Sequence, residues 1–333
     1  MARAVVSNGS LSHSFGHLAL SVPAKLTTRI ADIIFSLTGL TADWVWTDRE
    51  RFETCLSDDA PDSELRVHVD GSEGHRARGQ LVRSVGGLRN VYLDETTWTF
   101  EFRPYKKETY PQRPPHQVLV YDRQFTRGDL YVAKDAKGER SPFSFGVFVS
   151  DLLTAMLPFH EGMMVHASGI ADGRRGIVFA GPSGAGKSTM AGLWEGYDGV
   201  RVLNDDRIIL RKKDGQWRAY PRLGVGEPRS GSSEGVPLEA VFLIHHASEN
   251  AARRMNSSGG ARSLLAHLSL PAYDAAATRA TLQLLDDLLH QVPVYHLGFC
   301  PEEAIVGFAR DIVRRGQAPD GVPGQDRVAA EDD

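Results

Sequence analysis

The stretch Gly181-Pro-Ser-Gly-Ala-Gly-Lys-Ser-Thr189 carries the most information in this chain. It satisfies the P-loop pattern G-x-x-x-x-G-K-[ST], in which glycines let successive backbone N–H groups turn inward toward phosphate oxygens. Lys187 supplies a positive charge for the β- and γ-phosphates, and the Ser188 hydroxyl is a candidate Mg²⁺ ligand. The expected nucleotide-binding residues are Gly181, Ser183, Gly184, Ala185, Gly186, Lys187, Ser188 and Thr189.

The residues on either side of this loop favour the same interpretation. An apolar run at 176–180 predicts a strand that enters the loop, and residues 188–194 predict a helix that leaves it. The amino end of such a helix adds its dipole to an anion site. An accidental glycine- and serine-rich turn is not expected to have both flanking elements. The motif therefore predicts that the chain binds a nucleoside triphosphate.

Composition restricts the other classes of function. The 333 residues are 41% hydrophobic and 24% charged, with a net charge of −4, so no general attraction to nucleic acid or anionic membranes is expected. No apolar run reaches the roughly 18–20 residues of a transmembrane helix, and no signal segment is evident, which predicts a cytoplasmic protein. The two distant cysteines, Cys55 and Cys300, are expected to be reduced.

The pattern predicts an α/β protein of the α+β kind, with two domains and a tail. Residues 1–140 predict a smaller α+β domain, with a helix at 23–39 before an antiparallel sheet. Residues 141–316 are the expected nucleotide-binding domain, and residues 317–333 have the composition of a disordered tail. The strands of the first domain are expected at 66–70, 80–83, 90–94, 97–102, 117–121 and 129–133, with a proline-rich loop at 104–116.

Strands in the second domain are closely spaced and do not alternate regularly with helices, which predicts a mixed sheet. They are expected at 163–170, 176–180, 200–203, 207–211, 217–220, 238–244 and 293–299. Helices are expected at 144–157, 259–269, 275–290 and 301–315.

Two adjacent carboxylates, Asp205 and Asp206, follow a predicted strand shortly after the P-loop. In P-loop enzymes one such carboxylate holds Mg²⁺, and a second can accept a proton when a substrate hydroxyl is the nucleophile. A solvated turn between strands is the alternative, and the nearby P-loop disfavours it. His166 is either a core histidine or a side chain placed by its strand beside the phosphate site. Glu227 is either a metal ligand or a surface charge.

The combination of these motifs resembles the HPr kinase/phosphorylase family, and more closely its shorter HPr-kinase-related members. The matching segments are Val165-His-Ala-Ser-Gly169, the P-loop, Leu203-Asn-Asp-Asp-Arg207 and 292–299. The resemblance implies the P-loop fold shared with ATP-dependent phosphoenolpyruvate carboxykinases, with a mixed and largely antiparallel sheet. The chain departs from the family at Thr189, where the HPr enzymes usually have glutamate, and in segment 225–231.

The resemblance also implies a role for each matching residue. Lys187 would bind the phosphates, and Asp205 would be the general base toward a serine hydroxyl, with His166 assisting that carboxylate. Ser188, Asp206 and Glu227 would hold Mg²⁺. The catalytic residues implied are thus Asp205, His166 and Lys187, with ATP and Mg²⁺ as the cofactors.

The leading expectation is a kinase that transfers the γ-phosphoryl group of ATP to a hydroxyl of a peptide, protein or small molecule. One alternative is a nucleotide-dependent regulatory module with weak ATPase activity. Another is a carboxykinase-like enzyme that uses cations such as Arg222 and Arg229 for a dicarboxylate. The sequence does not distinguish GTP from ATP as the nucleotide. Neither nucleic acid nor a membrane is an expected partner, and a homo-oligomer is compatible with the resemblance because the relatives often assemble.

Overall fold

The computed structural model describes residues 25–40, 57–69, 77–103, 117–133, 145–222 and 233–316. These residues form two eight-stranded mixed sheets with few helices, which confirms the coarse α+β class. The expected loop at 104–116, the expected tail at 317–333 and Glu227 lie outside the described residues.

The first sheet has the strand order β1-β2-β3-β8-β7-β6-β5-β4. Five of its neighbouring pairs are antiparallel, but β3 lies parallel to both β2 and β8, so the expectation of an antiparallel sheet was wrong at that position. Strand β8 pairs with its neighbour in sequence, β7, on one side and with the distant strand β3 on the other. The strands are β1 (Lys25–Ile30), β2 (Ile33–Thr38), β3 (Ser63–Val69), β4 (Gln80–Val85), β5 (Arg89–Leu93), β6 (Thr97–Phe102), β7 (Gln117–Asp122) and β8 (Arg127–Val132).

The predicted helix at 23–39 is wrong, because this segment forms the antiparallel hairpin β1–β2. Its apolar residues fit helical spacing, yet a short apolar run is equally consistent with a buried strand, and most of these residues are β-branched. The backbone reverses at Ala31 and Asp32, which have φ angles of 49° and 59°. Two positive φ values are typical of a two-residue hairpin turn. Strand β2 is then almost entirely buried.

The first helix, α1 (Phe145–Met156), confirms the predicted helix at 144–157 and continues into a 3-10 turn at Leu157–His160. Its buried residues Val149, Leu152 and Leu153 join one hydrophobic cluster with the first sheet. Met164 and Tyr220, from strands of the second sheet, belong to the same cluster. Helix α1 therefore packs where the two sheets meet.

The second sheet has the order β10-β9-β12-β13-β14-β16-β15, with β11 also paired to β9. Every strand predicted after residue 162 is present, and β15 is an additional one that the sequence reading missed. The strands are β9 (Gly162–Asp172), β10 (Arg175–Ala180), β11 (Val200–Asn204), β12 (Arg207–Lys213), β13 (Gln216–Pro221), β14 (Val236–His246), β15 (Ala251–Arg254) and β16 (Val294–Phe299).

Strands β9 and β14 are long and change partners along their length. Residues Gly162–His166 of β9 pair with β12, whereas Ala167–Asp172 pair with β10. Strand β14 pairs with β13 at its beginning and then lies parallel to β10 and β16. The five strands β9, β12, β13, β14 and β10 therefore close on themselves. The exchange of partners on β9 falls between His166 and Ala167.

The remaining helices cover this second sheet and agree with the predicted ones to within a few residues at their ends. Helix α2 packs against β9 and β10 and buries Met190 and Trp194. Asp274 caps the start of helix α4 (Ala275–Gln291), because its carboxylate accepts hydrogen bonds from the backbone N–H groups of Ala276 and Ala277. The helices are α2 (Lys187–Trp194), α3 (Ser257–Leu265), α4 (Ala275–Gln291) and α5 (Ala304–Arg315).

Candidate active site

The P-loop connects the end of β10 to the start of α2, as its motif predicts. Gly184 and Gly186 have φ angles of 81° and 96°, a backbone conformation that residues with a side chain rarely adopt. A β-carbon on Gly186 would lie 2.5 Å from Cζ of Phe299. The loop therefore curls closely over β16, and glycine is required at 186 by both backbone conformation and space.

Lys187 begins helix α2, and its side chain folds back over the loop. The ammonium donates hydrogen bonds of 2.9 Å to the backbone carbonyls of both Gly181 and Pro182, and the residue is only 7% exposed. Burial lowers the pKa of the Lys187 ammonium, and the charge of Asp206 acts in the opposite direction. The cation is thus held at the loop and lies within electrostatic range of the carboxylate turn.

Asp205 and Asp206 occupy the bend between β11 and β12. The buried side chain of Asn204 holds this bend, because its Oδ1 accepts 2.9 Å hydrogen bonds from the backbone N–H groups of Asp206 and Arg207. Asparagine commonly stabilises turns in this way. In the sequence Asn204 was only part of a motif, whereas the structure shows that it holds the bend that carries the two carboxylates.

His166 lies on β9 directly opposite Arg207 of β12. Its Nδ1 is 3.2 Å from Oδ1 of Asp206, an ion-pair distance, although the geometry does not satisfy a hydrogen bond. The backbone N–H of Ala167 donates to the carbonyl of Asp206 at 3.1 Å and fixes the bend against β9. The resemblance pairs His166 with Asp205, whereas this contact is with Asp206.

Two arginines and a second histidine also lie here, of which the sequence had suggested only Arg222, as a cation for a dicarboxylate in the carboxykinase-like alternative. Arg207 Nε and Arg222 Nη1 are 3.5 and 3.6 Å from Oδ2 of Asp206. The backbone carbonyl of His267 accepts a 2.8 Å hydrogen bond from the backbone N–H of His166. Burial lowers the pKa of the His267 imidazole, and the charges of Lys187 and His166 lower it further. Arg207 was noted only as the last residue of the matched motif, and no local pattern marks His267, which lies in the turn after α3.

A cleft of about 660 Å³ opens beside these groups, between the first sheet and the second. Its wall on the side of the first sheet contains Arg83 and Arg89, and helix α1 contributes Asp151. The other wall contains His166, Arg207, Arg222 and residues 266–270. The cleft therefore adjoins the carboxylate turn and receives side chains from both halves of the chain.

The structure brings most of the residues predicted for the site into one region. Ser183, Gly184, Ser188 and Thr189 are exposed on the loop and the first turn of α2, Asp205 is half-buried, and Asp206 is exposed. Glu227 and Arg229 lie outside the described residues. Among the residues that the structure describes, no three His, Cys, Asp or Glu side chains form a metal-binding group.

No protein-family model matches this chain, and no curated protein matches it. Within the described ranges, no helix is long and apolar enough to cross a membrane.

Proposed function

We propose that the chain is a Mg²⁺-dependent kinase that transfers the γ-phosphoryl group of ATP to a hydroxyl group, with a serine of a peptide or protein, or a small molecule, as the acceptor. The observation that carries the proposal is the position of the Asp205–Asp206 bend. It lies against His166 on β9, and Asp206 is within electrostatic range of Lys187 of the P-loop. A phosphate-binding loop and a nearby carboxylate pair are the two parts that phosphoryl transfer to a hydroxyl requires.

The loop fits the phosphates of a nucleotide. Glycines at 184 and 186 free the backbone N–H groups, and helix α2 begins directly behind them. Lys187 is already positioned by two carbonyl contacts. The Ser188 hydroxyl and the Asp206 carboxylate are oxygen donors of the kind that Mg²⁺ prefers, and when bound the ion would neutralise phosphate charge. The proposed metal ligands are these two, with Glu227 as a third.

The two carboxylates, Asp205 and Asp206, have different roles in the proposed chemical step. Asp205 accepts the proton of the acceptor hydroxyl as its oxygen forms a bond to the γ-phosphorus. The bond between that phosphorus and the bridging oxygen breaks at the same time, and ADP leaves. Asp206 is the proposed metal ligand of the pair. It also interacts with Lys187 and with Arg207 and Arg222. His166 positions Asp206, 3.2 Å away.

The decisive variants are Asp205→Asn and Lys187→Ala, with Asp198→Asn as a matched control on an exposed turn outside the site. Labelled product is measured by mass spectrometry after incubation of γ-labelled ATP and Mg²⁺ with an arrayed set of serine peptides and with small hydroxy compounds. We expect Asp205→Asn to reduce transfer by 10²-fold or more, the size of a general-base contribution, while nucleotide binding persists. Lys187→Ala should weaken ATP binding itself.

Two results would contradict this proposal in different ways. Undiminished transfer by Asp205→Asn would remove the general-base assignment. ATP binding without any labelled acceptor, in the wild type as in Asp205→Asn, would instead support the regulatory module with weak ATPase activity.

A further inference from the structure

Four arginines from both halves of the chain converge on the cleft between the two sheets. Arg83 and Arg89 come from the neighbouring strands β4 and β5 of the first sheet. Arg207 begins β12, and Arg222 follows β13. None of these four was assigned a catalytic role in the preceding proposal. They are also separated in sequence, so only the packing of one sheet beside the other creates the group.

The carboxylates at this cleft are already shared among these cations. Asp151 of α1 is 3.7 Å from Arg83 Nε and 3.0 Å from Arg89 Nη1. Asp206 is the shared partner of Arg207 and Arg222. Among the described residues of the cleft and its edge, the four guanidinium groups and Lys187 outnumber the three carboxylates, even with Asp205 included. These described side chains therefore carry an excess of positive charge.

Part of this excess positive charge is buried, because it comes from Arg222. Its side chain is 4% exposed and donates a hydrogen bond to Ser150 of α1. Burial and the neighbouring charges of Arg207 and Arg89 lower the pKa of the Arg222 guanidinium, and Asp206 and Asp151 offset only part of this shift. Arg207 and Arg89 are more exposed, at 37% and 32%, but their charges repel that of the buried Arg222, and a bound anion would relieve this repulsion.

We propose that the cleft binds a carboxylate or phosphate group of the phosphoryl acceptor, so that the substrates of this enzyme are anionic alcohols. Guanidinium groups suit this task because their planar donors match both oxyanions in pairs. This inference rests on the proposed kinase function. It adds that Arg83 and Arg89 select the acceptor, while the carboxylate bend acts on its hydroxyl.

The cleft also has a suitable size and position. A volume of about 660 Å³ is within the usual range for a small-molecule site. His166 lines the same cleft as Arg83 and Arg89 and contacts Asp206. An acceptor whose anionic group lies against the first sheet can therefore present its hydroxyl toward the P-loop side. In this arrangement the first sheet selects the acceptor, and the second sheet carries the residues that act on its hydroxyl.

Direct binding tests the inference without knowledge of the natural acceptor. Glycerol 3-phosphate, glycerate and uncharged glycerol are titrated into the full-length Lys187→Ala protein, in which the P-loop no longer competes strongly for phosphate. Saturation-transfer NMR detects binding in the millimolar range. The test variants add Arg83→Gln or Arg89→Gln, both at partly exposed positions. The control is Arg127→Gln in the same sheet, because the Arg127 side chain is 84% exposed and does not line the cleft.

We expect at least one of the two anionic compounds to bind and glycerol not to bind. Loss of one charge-assisted contact should weaken that binding about tenfold in Arg83→Gln and in Arg89→Gln, and Arg127→Gln should leave it unchanged. Stronger binding of glycerol 3-phosphate than of glycerate would identify phosphate as the preferred group, and the reverse order would identify carboxylate.

Absence of binding by both anions would overturn the inference, as would binding that the two cleft variants do not weaken. Nucleotide binding and transfer by the chain with Lys187 intact are measured separately. If ATP is bound and transferred but the anions do not bind the cleft, only the present inference fails. If the anions bind the cleft but no hydroxyl receives a phosphoryl group, the proposed kinase function fails instead.

Discussion

Asp32 is one of the residues through which the turn of the first hairpin contacts the second sheet. Its carboxylate accepts a 2.7 Å hydrogen bond from the Tyr220 hydroxyl and lies 3.1 Å from Lys213 Nζ. Burial acts to raise the pKa of Asp32, but the hydrogen bonds from Tyr220 and Lys213 outweigh it and leave the pKa below its usual value. The ionised form is therefore favoured in the folded protein.

Replacement of this residue tests how much that connection stabilises the fold. We expect Asp32→Ala to reduce the free energy of unfolding by about 2 kcal/mol, because Tyr220 loses a charged acceptor and alanine tolerates the left-handed turn poorly. Urea denaturation measures the change. Asp59→Ala is the control, since Asp59 is 62% exposed and its surface contact with Arg29 should contribute less than about 1 kcal/mol. Equal losses of unfolding free energy in Asp32→Ala and Asp59→Ala would show that the contacts of Asp32 stabilise the fold no more than a surface ion pair does.

The lowered pKa of Asp32 also predicts how the stability difference between wild type and Asp32→Ala changes with pH. A carboxylate with a lowered pKa binds fewer protons when folded, so its contribution to stability is present above the usual value of about 3.9. It is lost as the pH falls through the lowered pKa of the folded state. The difference in unfolding free energy between wild type and Asp32→Ala should therefore shrink as the pH falls below about 4. A constant difference from pH 6 to pH 2 would show that the contact is not ionic.

At the scale of the element, the P-loop and helix α2 contain two glycines with opposite requirements. Gly186 has a φ angle of 96° and no room for a β-carbon beside Phe299, whereas Gly192 is an exposed helical position with nothing within 4 Å of an added β-carbon. One glycine therefore shapes the anion site, and the other weakens the helix.

Alanine at each position separates these effects. Gly186→Ala should lower the free energy of unfolding by about 2 kcal/mol and weaken ATP binding, because it strains the backbone and displaces the loop. Gly192→Ala should raise the free energy of unfolding by about 0.5–1 kcal/mol and leave ATP binding unchanged, because alanine favours the helix. Thermal unfolding and titration with a fluorescent ATP analogue measure both properties. Unimpaired ATP binding by Gly186→Ala would show that the loop geometry is not needed.

At the scale of the whole molecule, the two sheets share a hydrophobic core. Trp98 and Phe100 of the first sheet belong to one cluster with Leu152 of α1 and with Ile209 and Tyr220 of the second sheet. Arg211 adds a 2.9 Å hydrogen bond to the carbonyl of Ala31. Separation of the sheets would expose these apolar side chains to water, which costs free energy in proportion to the area exposed.

We therefore expect the two sheets to unfold as one cooperative unit. Native-state hydrogen exchange, followed by mass spectrometry, measures the opening free energy of peptides that cover Thr97–Phe102 and Arg175–Ala180. The two values should agree within about 1 kcal/mol, and Asp32→Ala should lower both. Markedly earlier opening of the first strand, with the second unaffected, would instead indicate two independent domains.

Local patterns account for the predictions that the structure confirmed. The second half of the chain was predicted well because most of its strands are strongly apolar and clear turns separate them, as at Gly173 and Arg174 between β9 and β10. The helix at 23–39 failed because Ile30, Ile33 and Leu37 fit either spacing, and the choice depended on burial within a sheet. The parallel pairing of β3 and β8 also had no local signal, because it joins segments far apart in sequence.

The sequence by itself determined the P-loop and the strand and helix around it, because the conformations of glycine and the charge of lysine act over a few residues. It also identified Asp205, Asp206 and His166 as candidates. Only the tertiary structure decided that His166 contacts Asp206, that Asn204 holds the bend, and that four arginines line one cleft. The physical reason is that strand register and the packing of two sheets bring these side chains together, and both depend on contacts between distant parts of the chain.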